Sequence, residues 1–344
     1  MKIKIEGINQ KYDEFVNKVN ARTFFHSTKF TKFLENLLGM KSKIIFCEEN
    51  HEIKGVFPFF EKTGKYGKVI NSNPFFGSYG GGISNNKDVE KNLIQEFNRY
   101  TNGEGILSSV IIENPFNKIE AYREYFDYNL TDKRFTQCTV LNERTQEEVF
   151  QSFEKRVRWS IKKGLKNNIR VTIENTDPKH FERFYELHMN SIKKKGGNIK
   201  PEIFFAELLK NFQSSNDFDI FVAWKEETPI AYVLVFYYNG FSEYYMPAYD
   251  PDYLNLQSTT LLIWESIQKS ITKKMNYYNF GGTWKSQKSL YLFKRGWNAS
   301  EFHYDYFVKC DLEKINKISL EDLKKEYNYF YICPYDQLKN DKNN

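Results

Sequence analysis

Long hydrophobic runs, paired cysteines, metal-spaced histidines and glycine-rich phosphate loops are all missing from this 344-residue sequence. The most apolar stretch, Ile230–Tyr238, falls far short of the roughly 20 residues needed to cross a bilayer. The opening MKIKIEGINQKYDEF alternates charge and apolarity and holds no signal-peptide core. Cys47, Cys138, Cys310 and Cys333 stand singly, with no C-x-x-C pair and no adjacent histidine, which argues against structural zinc and a disulfide framework. Reduced thiols in a cytoplasmic protein are the expectation. His26, His51, His180, His188 and His303 show no metal-ligand spacing, so no metal is expected. There is no Walker loop, no G-x-G-x-x-G, no G-x-S-x-G and no recognisable Ser-His-Asp or Cys-His set.

What is present is a chain long enough for about two domains, burying roughly three quarters of its extended surface. Its net charge of +6 permits polyanionic partners such as phosphorylated substrates, nucleotides or RNA without requiring them. Phe and Tyr are abundant while Ala is scarce and Lys, Asn and Ile are plentiful. That drift is what AT-rich codons produce, so the aromatic content alone does not argue for base stacking.

The first part opens with a polar helical stretch. After Phe24-Phe25-His26, Ser27 or Thr28 can cap a helix burying Phe30, Phe33, Leu34 and Leu37. Ser42–Cys47 and Ile53–Phe60 alternate as a hairpin around Glu48-Glu49-Asn50-His51. A Gly/Asn/Ser loop with aromatics follows, through Tyr79-Gly80-Gly81-Gly82, whose glycines allow close approach of a ligand or another strand. A helix over 89–100 and strands over 108–112 and 137–141 complete this part. The second part predicts helices over 146–167, 180–192, 201–212, 259–274 and 288–294. Its strands are expected over 170–174, 218–224, 230–238, 241–246, 277–280 and 302–308. Residues Leu338–Asn344 are polar and expected to fray. Helices mixed with largely antiparallel strands, in similar order twice, define an α/β (α+β) class of two lobes.

Three segments carry candidate chemistry. Phe280-Gly281-Gly282-Thr283 ends a strand, and Phe293-Lys294-Arg295-Gly296-Trp297 follows at the end of the next helix. Strand-end glycines allow close substrate approach and Lys294 could bring positive charge to the same mouth; the plain alternative is a turn and a surface lysine. Gln257-Ser258-Thr259 opens a helix and offers a donor-side anion site at its N-terminus, or ordinary capping by Ser258 or Thr259. Lys155–Lys166 is a basic helix in which Phe153, Val157, Ile161 and Leu165 form the expected buried stripe. Arg158, Lys162 and Lys166 make one basic row and Arg156, Lys163 and Arg170 another; such faces suit phosphates or are simply solvated.

In chain order these segments resemble the FemABX-type branch of the GNAT acyltransferase superfamily, which includes peptidoglycan bridge-forming aminoacyltransferases. The residues carrying the resemblance begin with Phe25-His26-Ser27, Tyr79-Gly80-Gly81-Gly82 and the Arg156–Lys166 helix. Tyr244-Tyr245 leading to Asp250-Pro251 and Leu261-Leu262-Ile263-Trp264 continue it. Tyr278-Asn279-Phe280-Gly281-Gly282-Thr283 with Phe293-Lys294-Arg295-Gly296-Trp297 are the most specific part. The resemblance implies two GNAT-like lobes, residues 1–143 joined by 312–337, and a catalytic lobe over 144–311. Each would be a mixed, largely antiparallel sheet flanked by helices. It implies transfer of an acyl group from charged tRNA or a thioester to an amine on a cell-envelope precursor, a phosphorylated or saccharide-linked amine. No tightly bound cofactor is implied, and peripheral contact with a lipid-linked precursor is compatible with it. Two departures stand out: the segment 180–212 is too short for a coiled-coil insertion, and Leu254–Thr260 lacks the glycines of a coenzyme A pyrophosphate loop.

By the same resemblance Lys294 is a transition-state contact, with Phe280, Gly281, Gly282, Thr283, Phe293, Trp297, Tyr79 and Gly80 beside the substrate. An ammonium there would stabilise the oxyanion of acyl transfer. No general base stands out; water, a substrate group, Tyr245 or Tyr291 could take the proton. The rival of a different class is a non-catalytic RNA- or phosphate-binding protein using the basic helix.

Overall fold

In this computed structural model the described residues are 1–19, 22–75, 77–194, 197–284 and 286–338. The chain divides into two compact units: Met1–Arg134 together with the chain from His303 onward, and Phe135–Phe302. The divisions fall inside strands rather than in the loops near 143 and 311.

The first unit holds β1 (Lys2–Glu6), α1 (Gln10–Val16), α2 (Thr28–Leu38), β2 (Lys43–Glu49), β3 (Glu52–Gly64), β4 (Gly67–Asn71) and β5 (Ile83–Ser84). It continues with α3 (Lys87–Tyr100), β6 (Ile106–Ile112), α4 (Ala121–Tyr125), and two later helices over Leu312–Ile315 and Leu320–Glu326. Its strands run β1-β2-β3-β4-β6, antiparallel except for the β4/β6 pair, which α3 bridges. The expected opening helix is instead β1. Lys2-Ile3-Lys4-Ile5-Glu6 alternates with period two and pairs with β2, and helix starts only where Asn9 caps α1. The 42–60 hairpin forms with Asn50 and His51 both at positive φ in its turn. The segment after residue 312 packs back on this unit: Asn71 exchanges two 2.8 Å bonds with the Tyr331 backbone, and Ser108 donates to the Ile332 carbonyl. Residues 339–344 of the expected frayed tail lie outside the described residues, whereas Leu338 is buried.

β7 (Leu130–Val140) and β13 (Ala299–Cys310) pass through the divisions. The second unit holds α5 (Gln146–Ser152), α6 (Lys155–Lys166), β8 (Arg170–Ile173), α7 (Pro178–Lys194), α8 (Phe204–Asn211), β9 (Phe218–Lys225) and β10 (Thr228–Tyr238). It ends with β11 (Phe241–Tyr249), α9 (Ser258–Thr272), β12 (Tyr277–Thr283) and α10 (Lys288–Gly296). The order is β7-β12-β11-β10-β9-β8, again antiparallel but for one pair, β11/β12, which α9 bridges. Each unit thus repeats one plan: a meander, one crossover helix and a single parallel pair.

The helix expected over 146–167 is broken in two. Phe153 and Glu154 are extended, and Arg158 turns back to donate to the carbonyls of Gln151 (2.6 Å) and Phe153 (2.9 Å), satisfying the end of α5. The buried stripe also differs. A repeat of four advances about 40° beyond each full turn, so Leu165 has rotated out and is 56 % exposed. Gly164 takes its place, where an added Cβ would lie 3.4 Å from the Leu261 Cβ, letting α6 press against α9.

Candidate functional site: a lysine and a glutamate around the β12 bulge

The second unit's core explains why its glycine-lysine motif converges. Tyr278 and Phe280 point from β12 into an aromatic cluster with Tyr244, Phe293 and Trp297. Phe293 and Trp297 come from α10, so burying them fixes that helix over the end of β12. Thr139 tightens the clasp by donating to the Trp297 carbonyl at 2.7 Å. Gly296 passes so close to α6 that a Cβ would meet Val157 Cγ2 at 2.9 Å, and the Arg156 guanidinium bonds the Leu292 carbonyl. Phe280, Phe293 and Trp297 therefore pack together and aim Lys294.

Lys294 is 3 % exposed, and its Nζ donates to the carbonyls of Gly281 and Gly282 (2.8 Å each) and to Thr283 Oγ1 (2.9 Å). These use all three donors of an ammonium. Thr283 Oγ1 in turn donates to Gln137 Oε1 at 3.0 Å. Burial lowers the lysine to about 7, with charge attraction to the Cys138 side opposing it. The carbonyls are presented because β12 bulges: pairing with β7 slips between Asn279 and Gly282, and Gly281 takes φ +76°. A Cβ added to Gly281 would meet nothing within 4 Å, so the bulge has open space in front of it.

On the other side of the bulge lies a polar cluster that sequence reasoning missed. Asn279 Oδ1 accepts from Thr136 Oγ1 (2.6 Å), Cys138 Sγ (3.3 Å) and the Gly281 backbone N–H (2.9 Å). Its Nδ2 donates to Glu243 Oε2 at 2.8 Å. Glu243 is 3 % exposed, its Oε1 has no hydrogen-bond partner, and burial raises it to about 8, against the Asn279 bond. Glu243 and Asn279 are the last paired residues of β11 and β12; beyond them the strands run on to Tyr249 and Thr283 with no further register between them. The acid therefore stands at the vertex of a strand fork. The one sequence signal for it was a lone acid at an inward position of an aromatic strand, Phe241-Ser242-Glu243-Tyr244-Tyr245.

Other candidates go elsewhere. Tyr245 packs against Phe236 and Phe204 beneath the Lys200 ammonium, 4.9 Å from its ring, and burial drives its hydroxyl far from ionisation. Tyr291 donates its hydroxyl to Glu301 at 2.8 Å on the surface, a bond that raises its pKa. Neither is placed as a base. Tyr79 and Gly80 belong to the first unit's core: Tyr79 is fully buried against Phe25, Phe116 and Tyr304, and a Cβ on Gly80 would meet Ser72 Oγ at 2.5 Å. The glycine loop's close approach is to protein, and buried His26, lowered to about 4 by desolvation, lies 3.3 Å from the Gly80 carbonyl through Nε2. Arg158 is consumed in helix capping, while Lys162 and Lys166 stay exposed beside Trp159, which is 60 % exposed. At the start of α9 the capping reading fails: Gln257 is left-handed and no side chain caps the helix, Ser258 being buried. Thr259 lies in the same first turn. Among the described residues no group of three or more His, Cys, Asp or Glu could hold a metal, and no helix is long and apolar enough to cross a membrane.

Residues 151–295, which contain both the lysine and the glutamate, match the acetyltransferase (GNAT) domain family. The crystal structure of FemX superposes with a TM-score of 0.69 at 14 % identity, covering 94 % of this chain and 99 % of that one. The structure of L-PGS from Bacillus licheniformis superposes at 0.58 and 14 % identity, over 92 % and 95 % of the two chains. In sequence, the lipid II:glycine glycyltransferase of Staphylococcus haemolyticus (strain JCSC1435) is 23 % identical over 245 residues, 66 % of this chain. The chain spans 56 % of that relative's length. A crossover helix over a forked parallel pair, with this family match upon it, makes residues 151–295 similar to an acetyltransferase (GNAT) domain. The chain has the fold of FemX along nearly its whole length.

Proposed function

We propose that this protein transfers an acyl or aminoacyl group from an activated carrier to an amine on a cell-envelope precursor, a peptidoglycan peptide or an amino sugar. The observation that carries the reading is a buried ammonium, Lys294, held at an open glycine bulge inside the GNAT domain. Attack of the amine places negative charge on the acyl oxygen. Lys294 meets that oxyanion by exchanging its bond to the neutral Thr283 hydroxyl for one to a full charge, while the Gly281 and Gly282 carbonyls hold it in place. Thr283 keeps its bond to Gln137 when released.

The carrier is charged tRNA or a protein-bound thioester. Its anionic part is read by Lys162 and Lys166 on α6 and by the uncapped first turn of α9 at Gln257, Ser258 and Thr259. The glycyltransferase relative acts on lipid II by its name, and a lipid-linked or soluble peptidoglycan precursor is the acceptor class this favours here.

The test is transfer of a radiolabelled aminoacyl or acyl group, from charged tRNA and from a protein-bound thioester, to soluble and lipid-linked peptidoglycan precursors and to amino sugars, by wild type and by Lys294→Met. Loss of one oxyanion contact should lower kcat by about 10²–10³ with KM little changed. Wild-type kcat in the variant would overturn the assignment of Lys294, and absence of transfer by the wild type would overturn the function.

A further inference from the structure

A lysine whose three donors are all bonded at rest must release one partner to meet an oxyanion, and must stay charged until then. We propose that Gln137 is a positioning residue for Lys294: by fixing the Thr283 hydroxyl as an acceptor, it keeps the lysine an ammonium aimed at the bulge. This rests on the reading of Lys294 as the oxyanion contact. The strand register places Gln137 for the task. Asn279 pairs with Cys138 and Gly282 with Thr136, so the two residues of the bulge, Phe280 and Gly281, stand opposite Gln137 alone. On β7, Phe135, Gln137 and Thr139 alternate onto the face that meets α10. Phe135 packs edge-on against Tyr291 with ring centres 5.8 Å apart, and Thr139 donates to the Trp297 carbonyl. Gln137, the polar residue between them, is fully buried, a costly place for an amide unless both its ends are bonded.

Both ends are bonded, and in a definite sense. Nε2 donates to the Tyr291 carbonyl at 3.3 Å, one turn before Lys294 on α10, which turns Oε1 toward Thr283. Thr283 donates its single hydroxyl hydrogen to that oxygen at 3.0 Å, so Oγ1 has only lone pairs to present to Lys294, 2.9 Å away. With the Gly281 and Gly282 carbonyls, Lys294 then meets three acceptors, an arrangement that favours the charged amine. Without Gln137 the Thr283 hydrogen could turn to the lone pair of a neutral Lys294 and favour the form that stabilises no oxyanion. Burial already opposes the charge, drawing the lysine down to about 7, so one hydrogen bond decides its state across the neutral range. The titratable groups facing Lys294 are Cys138 from β7 and, across that thiol, Glu243 from β11. From α6, Arg156 bonds the Leu292 carbonyl and Glu154; on α10 itself, Arg295 turns to Glu154 and Tyr291 to Glu301. All of these are retained in the variants that test the proposal.

The experiment follows the Lys294 titration by NMR of the carbon next to Nζ in lysine-labelled protein, the signal being assigned by its loss in Lys294→Met. Gln137→Leu and Thr283→Val should each lower the midpoint, by about one pH unit, the worth of one bond to a charged group. The double variant should titrate no lower than Thr283→Val, because Gln137 acts through that hydroxyl. Gln137→Glu, which keeps an acceptor for Thr283, should titrate at or above wild type, whereas a loosened core would move both Gln137 variants the same way. In the transfer assay a lower midpoint loses the ammonium at lower pH, so the alkaline limb of kcat should move down with it while KM for the carrier holds. A wild-type midpoint in Gln137→Leu, or additive shifts in the double variant, would overturn the assignment of Gln137 and leave the transferase reading standing. If Lys294→Met transfers at the wild-type rate, both fall together.

Discussion

Replacing Glu243 with glutamine should stabilise the protein, increasingly so as pH rises. Burial lifts this carboxyl from 4.5 to about 8, so the folded protein binds its proton more tightly than the unfolded chain does. Below pH 4.5 the group is protonated in both states and costs nothing. Between 4.5 and 8 the unfolded chain ionises while the fold holds the proton, and stability drains away at about 1.4 kcal/mol per pH unit. The cost is about 1 kcal/mol at pH 5, about 3 at pH 7, and levels off between about 3 and 5 above pH 8. Glutamine has the shape of the protonated acid and can still accept from Asn279, but it never ionises. Urea denaturation of both proteins at pH 5, 7 and 9 reads the difference, and the Lys294 titration, present in both, cancels from it. The gain should be small at pH 5 and several-fold larger at pH 9. A gain independent of pH would refute the reasoning, since it would mean Glu243 ionises alike in the folded and unfolded chain.

Three further outcomes follow from the helices. Lys162→Gln with Lys166→Gln should raise KM for an anionic carrier, with the wild-type advantage fading as salt screens it, whereas Arg158→Ala should chiefly lower the melting temperature because it uncaps α5. Acetyl-coenzyme A should bind no tighter than about 1 mM by calorimetry, because the start of α9 has Gln257, Ser258 and Thr259 where glycines would admit a pyrophosphate; micromolar affinity would return coenzyme A as donor.

How far the letters reached depended on whether a contact was local. Helical spacing marked α2, and period-two alternation marked β2 and β3, because each pattern is complete within its own segment. The Lys294 motif was legible for a related reason: strand, bulge and helix are consecutive, and Phe293 and Trp297 bring their own anchoring with them. The break at Phe153 was not legible, since it depends on Arg158 folding back on a helix end. Leu165 was misjudged because a repeat of four imitates 3.6 for only two turns. Tyr79 and the glycines after it read as a ligand loop because nothing local reveals that Ser72 and Tyr122 fill the space beside them. Glu243 needs Asn279, 36 residues away, before its burial means anything.

The two shifted groups make sense together. Burial discourages charge on both, drawing Lys294 down to about 7 and Glu243 up to about 8, so both side chains sit close to neutrality. Each is then most responsive to a charge of opposite sign arriving beside it. An ammonium at the Glu243 oxygen favours the carboxylate, and an oxyanion at the Lys294 nitrogen favours the ammonium. The destabilisation carried by Glu243 in the fold is thus the same quantity that raises its proton affinity, and a variant that removes the one removes the other.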